Sequence, residues 1–310
     1  MKYVNLGDST LDEIRDLLKS NGKIIFTAER TFDTTLLVEI NKQCGANIEL
    51  QLCPDENVSI DLLKLTPNIQ RLALSPDWES PLDNLEGLAE IKKLISLSLG
   101  LYVKENISFE PISHIKMLQE FEFLHKGLVN KKQYDFINQQ SQLEILHVRT
   151  LDLSLIATIQ TLTELRIHST VKNENLLVDK FPKLRKFHLH GDSRRKDHSF
   201  IENLLNIEDI TINYNAYLSS FPNVKSPEIV KRICMYECPN FSDIDSLLIF
   251  ENLETLCLTT HNKSLQVSAE DFVKLKQLKK LNRVYVEWGR QEPKIVEQLY
   301  KETGWINSMI

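Results

Sequence analysis

The chain is predicted to be an α/β solenoid, with a parallel β-sheet on a concave face and helical caps at both ends. Three observations carry this expectation. An apolar motif of the form L-x-x-L-x-L, with Ile, Phe, Val or Met standing in for Leu, recurs nine times between Ile69 and Leu258, its starts 19 to 25 residues apart. A second apolar set lies between successive motifs, as in Leu82, Leu85, Leu88 and Ile91, then Ile112 and Ile115, then Phe200, Ile201 and Leu204. Only 9 Gly and 10 Pro occur in 310 residues, which leaves no room for glycine-rich loops or interdomain linkers. A period of this length marks stacked units, none of which can bury its apolar face alone.

The elements follow in order. Thr10 and Glu13 form a capping-box pattern ahead of Leu11, Ile14, Leu17 and Leu18, and Asn21-Gly22 stops that helix. Residues 23–27 read as a first strand and 34–44 as a helix closed by Gly45, so residues 1–46 form an amino-terminal cap with Cys44 in its core. The repeat array, 47–287, opens on a weak copy, Asn47-Leu50-Leu52. It runs through Ile69-Leu72-Leu74, Leu94-Leu97-Leu99, Leu118-Phe121-Phe123, Leu143-Leu146-Val148, Leu162-Leu165-Ile167, Leu184-Phe187-Leu189, Ile207-Ile210-Ile212, Val230-Ile233-Met235 and Leu253-Leu256-Leu258, and closes on Leu281-Val284-Val286. Eleven or twelve strands stacked about 4.8 Å apart would span roughly 50 Å. Residues 288–310 form the second cap: Pro293 opens a helix through Thr303, Gly304 stops it, and Ile295, Leu299 and Trp305 cover the last repeat. No linker interrupts this order, so residues 1–310 are expected to be a single domain.

These motifs resemble the leucine-rich repeat family, in an irregular form, over residues 47–287. The resemblance implies the solenoid and places any binding role on the exposed concave face; it says almost nothing about the partner. The family's ladder asparagine is kept at Asn215, with Cys238 matching and Asp55, Asp77 and Asp192 as polar stand-ins, whereas Tyr102, Lys126 and Leu151 depart from it.

Charge and chemistry narrow the function. The balance of 37 basic and 43 acidic residues gives a net charge of -6, which disfavours nonspecific nucleic-acid binding. Residues 166–196 reverse the sign, with nine Lys/Arg against three acids. Five cysteines without a CxxC pair, and a start lacking a secretory pattern, lead to an expected cytoplasmic location. There is no Walker loop, GxGxxG, GxSxG or HExxH, so no enzyme activity and no cofactor are expected. Cys53, Cys234 and Cys257 fall at outward strand positions with no His predicted beside them, and Cys234 and Cys257 should be neighbours open to oxidation.

The variable x positions of the motif therefore supply the candidate contacts. They are His147, Arg149, Arg166, His168, Lys186, His188, His190, Arg232, Tyr236 and Tyr285, joined by Arg194, Arg195 and Tyr214 from adjoining loops. Parallel register should set His168 beside His190, with His188 and His147 near. No carboxylate or Cys is expected in that cluster and several cations surround it, so no metal site is assigned. Tyr217 and Trp288 read as further anchors, Trp78 and Trp305 as packing residues. The expected partner is a folded protein with an acidic patch, bound by a chain that is monomeric when free and has no membrane segment. A stand-alone inhibitor such as a toxin-immunity protein leads, with a recognition adaptor or a polyanion binder as alternatives.

Overall fold

The computed structural model describes residues 1–55, 58–261, 263, 265–287 and 294–308. It divides into two compact units, Met1–Thr161 and Leu162–Ile310. The first unit holds β1 (Lys2–Asn5), α1 (Leu11–Leu18), β2 (Ile24–Ala28), α2 (Thr35–Lys42), β3 (Ile48–Leu52), β4 (Arg71–Leu74), β5 (Ser96–Leu99), β6 (Glu120–Phe123), α3 (Lys131–Asn138) and β7 (Ile145–Asp152). The second holds β8 (Glu164–Lys172), α4 (Leu177–Lys180), β9 (Lys186–His190), β10 (Asp209–Asn213), β11 (Arg232–Tyr236), β12 (Thr255–Thr259), α5 (Ala269–Val273), β13 (Arg283–Glu287) and α6 (Lys294–Thr303). Within each unit every strand pairs parallel with the next in chain order. The fold is a leucine-rich-repeat-like α/β solenoid.

The apolar motif sets the register. In the first unit Leu50, Leu72, Leu97, Phe121 and Leu146 stand in one row across β3 to β7. In the second, Leu165, Phe187, Ile210, Ile233, Leu256 and Val284 do the same across β8 to β13. All of these side chains are buried. A slip of one residue would turn a whole row to the other face, so register is strongly specified. The return segments close the core from the far side. Leu82, Leu85, Leu88, Ile91, Ile112, Ile115, Phe200, Ile201 and Leu204 are all buried, as their spacing predicts.

Repeat length decides what the return can be. The 19-residue interval from Leu143 to Leu162 has space only for a 3₁₀ turn at Leu153–Leu155. The 25-residue interval before it admits α3, capped by Asn130 and Gln133, each side chain accepting from the other's backbone N–H. Phe136 on α3 meets Phe109 edge to face at 5.2 Å, and Phe109 meets Phe121 and Phe123 in the same way.

At the strand ends of the second unit a left-handed residue recurs every 23 positions: Gly191, Tyr214 and Glu237. Each donates its N–H to the next strand, to Asn213, Tyr236 and Thr259 carbonyls respectively, and so extends the ladder by one bond. Glycine suits this position without strain; tyrosine and glutamate do not.

The caps depart from expectation in three places. A strand, β1, precedes the one read as first, and it brings the described strands to thirteen; four residues with a single clear apolar member, Val4, carry no motif to reveal it. Cys44 is half-buried rather than core. Trp78 is largely exposed, because it projects from the Pro76–Pro81 loop instead of packing. The capping box at Thr10 is present, and α2 forms as predicted. In the carboxy-terminal cap Leu299 and Trp305 are buried, Trp305 against Phe272, while Ile306 pairs with β13 and occupies its free edge. Pro293, Trp288 and the side chain of Ile295 lie outside the described residues.

Leu146 and Leu165 each stand in a fully buried row. Leu146→Asp or Leu165→Asp places an unpaired charge in a buried row, at a cost expected to exceed about 4 kcal/mol. Each variant should lose the native thermal transition followed by circular dichroism; a retained transition would refute the assigned register.

Candidate functional site

The alternate strand residues build the variable face, and they are paired to a degree that spacing alone does not reveal. In the first unit Arg71 on β4 reaches over Ser96 on β5 to both carboxylate oxygens of Glu120 on β6, at 2.8 and 3.2 Å. The small Ser96 permits this and donates its own hydroxyl to Glu120 at 2.9 Å. Burial would raise the Glu120 carboxyl, but Arg71 and Ser96 outweigh it and hold it low. Glu122 accepts from Ser98 at 2.5 Å and pairs with His147.

The second unit repeats the logic around two carboxylates. Glu164 is only 4% exposed, and it receives Arg166 from its own strand and Lys186 from β9, the latter at 3.2 Å. Asp209 on β10 receives Arg232 from β11 at 3.0 Å and lies 3.6 Å from His188 on β9. Burial pushes both carboxyls up; the facing cations, and His188 for Asp209, outweigh it and keep them below the usual range. The expectation that no carboxylate stands in the His cluster is therefore corrected: Asp209 lies beside His188 in the second unit, and Glu122 pairs with His147 in the first. Register already contained this, since Lys186, Asp209 and Arg232 occupy one row.

His168 and His190 do come together. Their rings stack at 4.8 Å and 9°, with His188 6.3 Å from His190. Asn213 donates to Nδ1 of His190 at 2.6 Å. Stacked rings aim their lone pairs in parallel planes, not at one point, and among the described residues no group of three His, Cys, Asp or Glu is placed to hold a metal ion.

Arg195 needs correction as a surface contact. It donates to Asp192 at 2.7 Å, Glu174 at 3.0 Å and the Val171 carbonyl at 3.2 Å, and lies over the Phe200 ring, so it braces the loop from within. Arg232, Tyr236 and Tyr285 are half-buried, Tyr285 through a hydrogen bond to Glu287. Cys234 and Cys257 do occupy the variable face, yet both are wholly buried, as are Thr211 and Thr259 beside them, because larger side chains in neighbouring rows close over them. Cys53 follows β3 and is half-buried.

Exposure therefore concentrates elsewhere. Arg149, His168, Lys186 and Arg194 are exposed, and so are two tyrosines after β10: Tyr214 at 57% and Tyr217 at 50%. Lys196 lies 5.1 Å over the Tyr217 ring. In the first unit Trp78, Leu101 and Tyr102 are exposed in the loops after β4 and β5. Residue type had marked Tyr214 and Tyr217; Trp78, Leu101 and Tyr102 were not read as contacts, since Trp78 reads as packing, Tyr102 falls at the ladder-asparagine position and Leu101 at none.

No protein-family model matches the chain, and no curated protein matches it. Among solved structures, a chain from the Toll–Spatzle complex, described as a molecular hub in Drosophila development and innate immunity, is similar over 99% of this chain. That likeness covers 48% of the other chain, at 14% identity and a TM-score of 0.49. The present chain thus spans about half of that protein's length, and the fold assignment rests on the strand ladder and the repeat. Parallel solenoids of this kind commonly serve as interaction scaffolds and carry chemistry only where a catalytic site is added. Among the described residues no helix is long and apolar enough to cross a membrane.

The asparagine position of the repeat supplies a pH dependence. Asn215 donates its two amide hydrogens to the Asp192 and Arg195 carbonyls, and the same nitrogen stands 3.3 Å from Nε2 of the buried His198. Burial, aided by the nearby Arg195, pushes His198 down to about 4 from its ordinary 6.5. Above pH 6.5 the ring is neutral folded and unfolded. Between about 6.5 and 4 only the unfolded chain gains the proton, so stability falls with falling pH, by on the order of 3 kcal/mol in total. Glu164 and Asp209 add a further loss only below about 4.5, as pH falls through their lowered values. Denaturant unfolding at pH 7 and pH 5 should show the first loss in the native protein and a smaller one in His198→Gln; equal slopes would contradict the buried neutral ring.

Proposed function

We propose that this protein is a non-catalytic binding protein that holds a folded protein partner, using the loops that follow its strands together with the exposed part of the variable face. The observation that carries this is Tyr214. It is 57% exposed, and its φ of 55° is a left-handed conformation that the preceding repeat assigns to Gly191. Holding a tyrosine there costs about 1 kcal/mol and gains no burial, which is how backbone strain is distributed at recognition sites. Tyr217 follows three residues on, with Lys196 of the preceding repeat over its ring and Arg194 in that same preceding loop; tyrosine and arginine are residue types that dominate interface energetics, and the cations favour an acidic patch on the partner. Such a chain acts by occupying its partner's surface, as a stand-alone inhibitor or toxin-immunity protein, or by presenting that partner to others as a recognition adaptor. Of the other candidate contacts, His168 and Lys186 are exposed in the same unit, and Arg149 is exposed in the first.

A polyanion fits less well. Arg166, Lys186, Arg195 and Arg232 already face carboxylates, so engaging phosphates would first break those pairs. The same pairing separates recognition from stability: reversing Arg166 and Lys186 would surround the buried Glu164 with like charge and damage the fold itself.

Affinity capture with the intact chain from cells of its source, followed by mass spectrometry and titration of the captured partner, tests the proposal. Tyr214→Ala with Tyr217→Ala should weaken binding by at least about 2 kcal/mol, roughly thirtyfold. Tyr214→Gly should weaken binding while leaving the thermal midpoint unchanged or raised, since glycine relaxes the left-handed backbone. Reversal of the exposed Lys92 and Lys93 to Glu should change little. Equal losses from the tyrosine and lysine changes would remove this surface from the site.

A further inference from the structure

Cys234 on β11 and Cys257 on β12 are register partners, in a row that runs from Thr211 to Tyr285. Both thiols are free, both side chains lie on the variable face, and both are 0% exposed. Paired residues on neighbouring parallel strands stand about 4.8 Å apart at Cα, inside the span that a disulfide bridges. The two cysteines face each other across the strands, and Tyr236 stands on the same face of β11, two residues after Cys234. Arg232, two residues before Cys234 and fixed by Asp209, supplies the nearby positive charge.

The other cysteines are differently placed. Cys44 donates to the Ile40 carbonyl, and burial pushes it up to about 11. Cys53 is raised by burial and by Glu29 and Asp55. Cys238 donates to the Ile212 carbonyl, and burial holds it at about 12.

We propose that Cys234 and Cys257 form an oxidisable dithiol site that a small peroxide converts to a reversible cross-strand disulfide. Cys257 is the attacking sulfur. The neighbouring Cys234 and Tyr236, with the Arg232 cation, pull its thiol down despite burial, while Cys257 and burial push Cys234 up. The Cys257 thiolate attacks one peroxide oxygen, the O–O bond breaks, and the departing hydroxide takes up the proton lost by the thiol to leave as water. Cys234 sulfur then attacks the Cys257 sulfenic sulfur; the S–O bond breaks, and the second hydroxide leaves as water with the Cys234 proton. Two thiols lose two electrons and one peroxide gains them.

Burial shapes the outcome. Both sulfurs are closed to solvent in the folded chain, so a small peroxide meets them in transient local openings, and the adjacent partner captures the sulfenic acid before a second oxidation. In-register parallel strands keep Cβ atoms about 4.8 Å apart, wider than the usual disulfide separation of about 3.8 Å, so the bond is strained and easily reduced. Forming it also changes the chemistry beside Tyr236, a half-buried side chain of the variable face.

The intact protein is treated with hydrogen peroxide under native conditions, alkylated, digested without reductant and mapped by mass spectrometry. The expected first product is a loss of two hydrogens joining the Cys234 and Cys257 peptides, reversed by dithiothreitol. When the peroxide is removed and the protein is then unfolded in urea with dimedone present, Cys234→Ser should carry a dimedone adduct on Cys257, and Cys257→Ser should leave Cys234 unlabelled. Oxidation landing first on Cys44 or Cys53, a pair that reacts only in urea, or equal dimedone labelling of Cys234 and Cys257 would overturn the proposal. Thermal unfolding monitors both variants, and should either fail to fold, the peptide map of the native chain decides alone.

Discussion

In-register burial of the motif residues is the constraint on which everything else rests. Because Leu72, Leu97 and Phe121, or Phe187, Ile210 and Ile233, stand in rows and share one core, no strand can shift without exposing a row. The rows on the opposite face are then fixed too. Each variable residue stands about 4.8 Å from its counterparts before and after it, whatever its chemistry. Functional freedom on this face is therefore limited by what neighbours in a row can tolerate.

That limit explains the charge pattern. Like charges side by side in a row would repel, and the row Lys186, Asp209, Arg232 alternates in sign. Where strand spacing is too short for a long side chain to fit, a small residue intervenes: Ser96 lets Arg71 reach Glu120 two strands away. Further along, Thr211, Cys234 and Cys257 fill a row with small side chains that the flanking rows bury. A stretch that looks basic when read along the chain becomes nearly balanced when read across it.

The same distinction separates what was legible in the sequence from what was not. Strands β4 to β12 and the return residues follow from period and polarity, because burial of each motif Leu leaves a signal every 19 to 25 residues. Strand β1 left none: an edge strand of four residues, half of them exposed, needs no periodic apolar partner. The ion pairs at Glu164 and Asp209 lay within reach, since the x positions and their register were known; charge summed along a window could not show them. The role of Arg195 was less accessible. Whether an arginine in a loop points to solvent or folds back on Asp192, Glu174 and Phe200 depends on turn geometry, and the turns are where this chain departs from its repeat.

Residues beyond the strand ends escape the row constraint. A side chain there has no register partner to match in charge or size, and so can be large, aromatic and exposed. Tyr214 and Tyr217 after β10, and Trp78, Leu101 and Tyr102 after β4 and β5, are of this kind, whereas the aromatic residues inside strands, such as Tyr236 and Tyr285, are half-buried by their rows. The left-handed turn after β10 sharpens the contrast. The preceding repeat fills it with glycine at no steric cost, and this one with a tyrosine whose ring is mostly in solvent. Stability does not account for that choice, because the backbone loses by it and the core gains nothing. The partner-binding role proposed for this loop would.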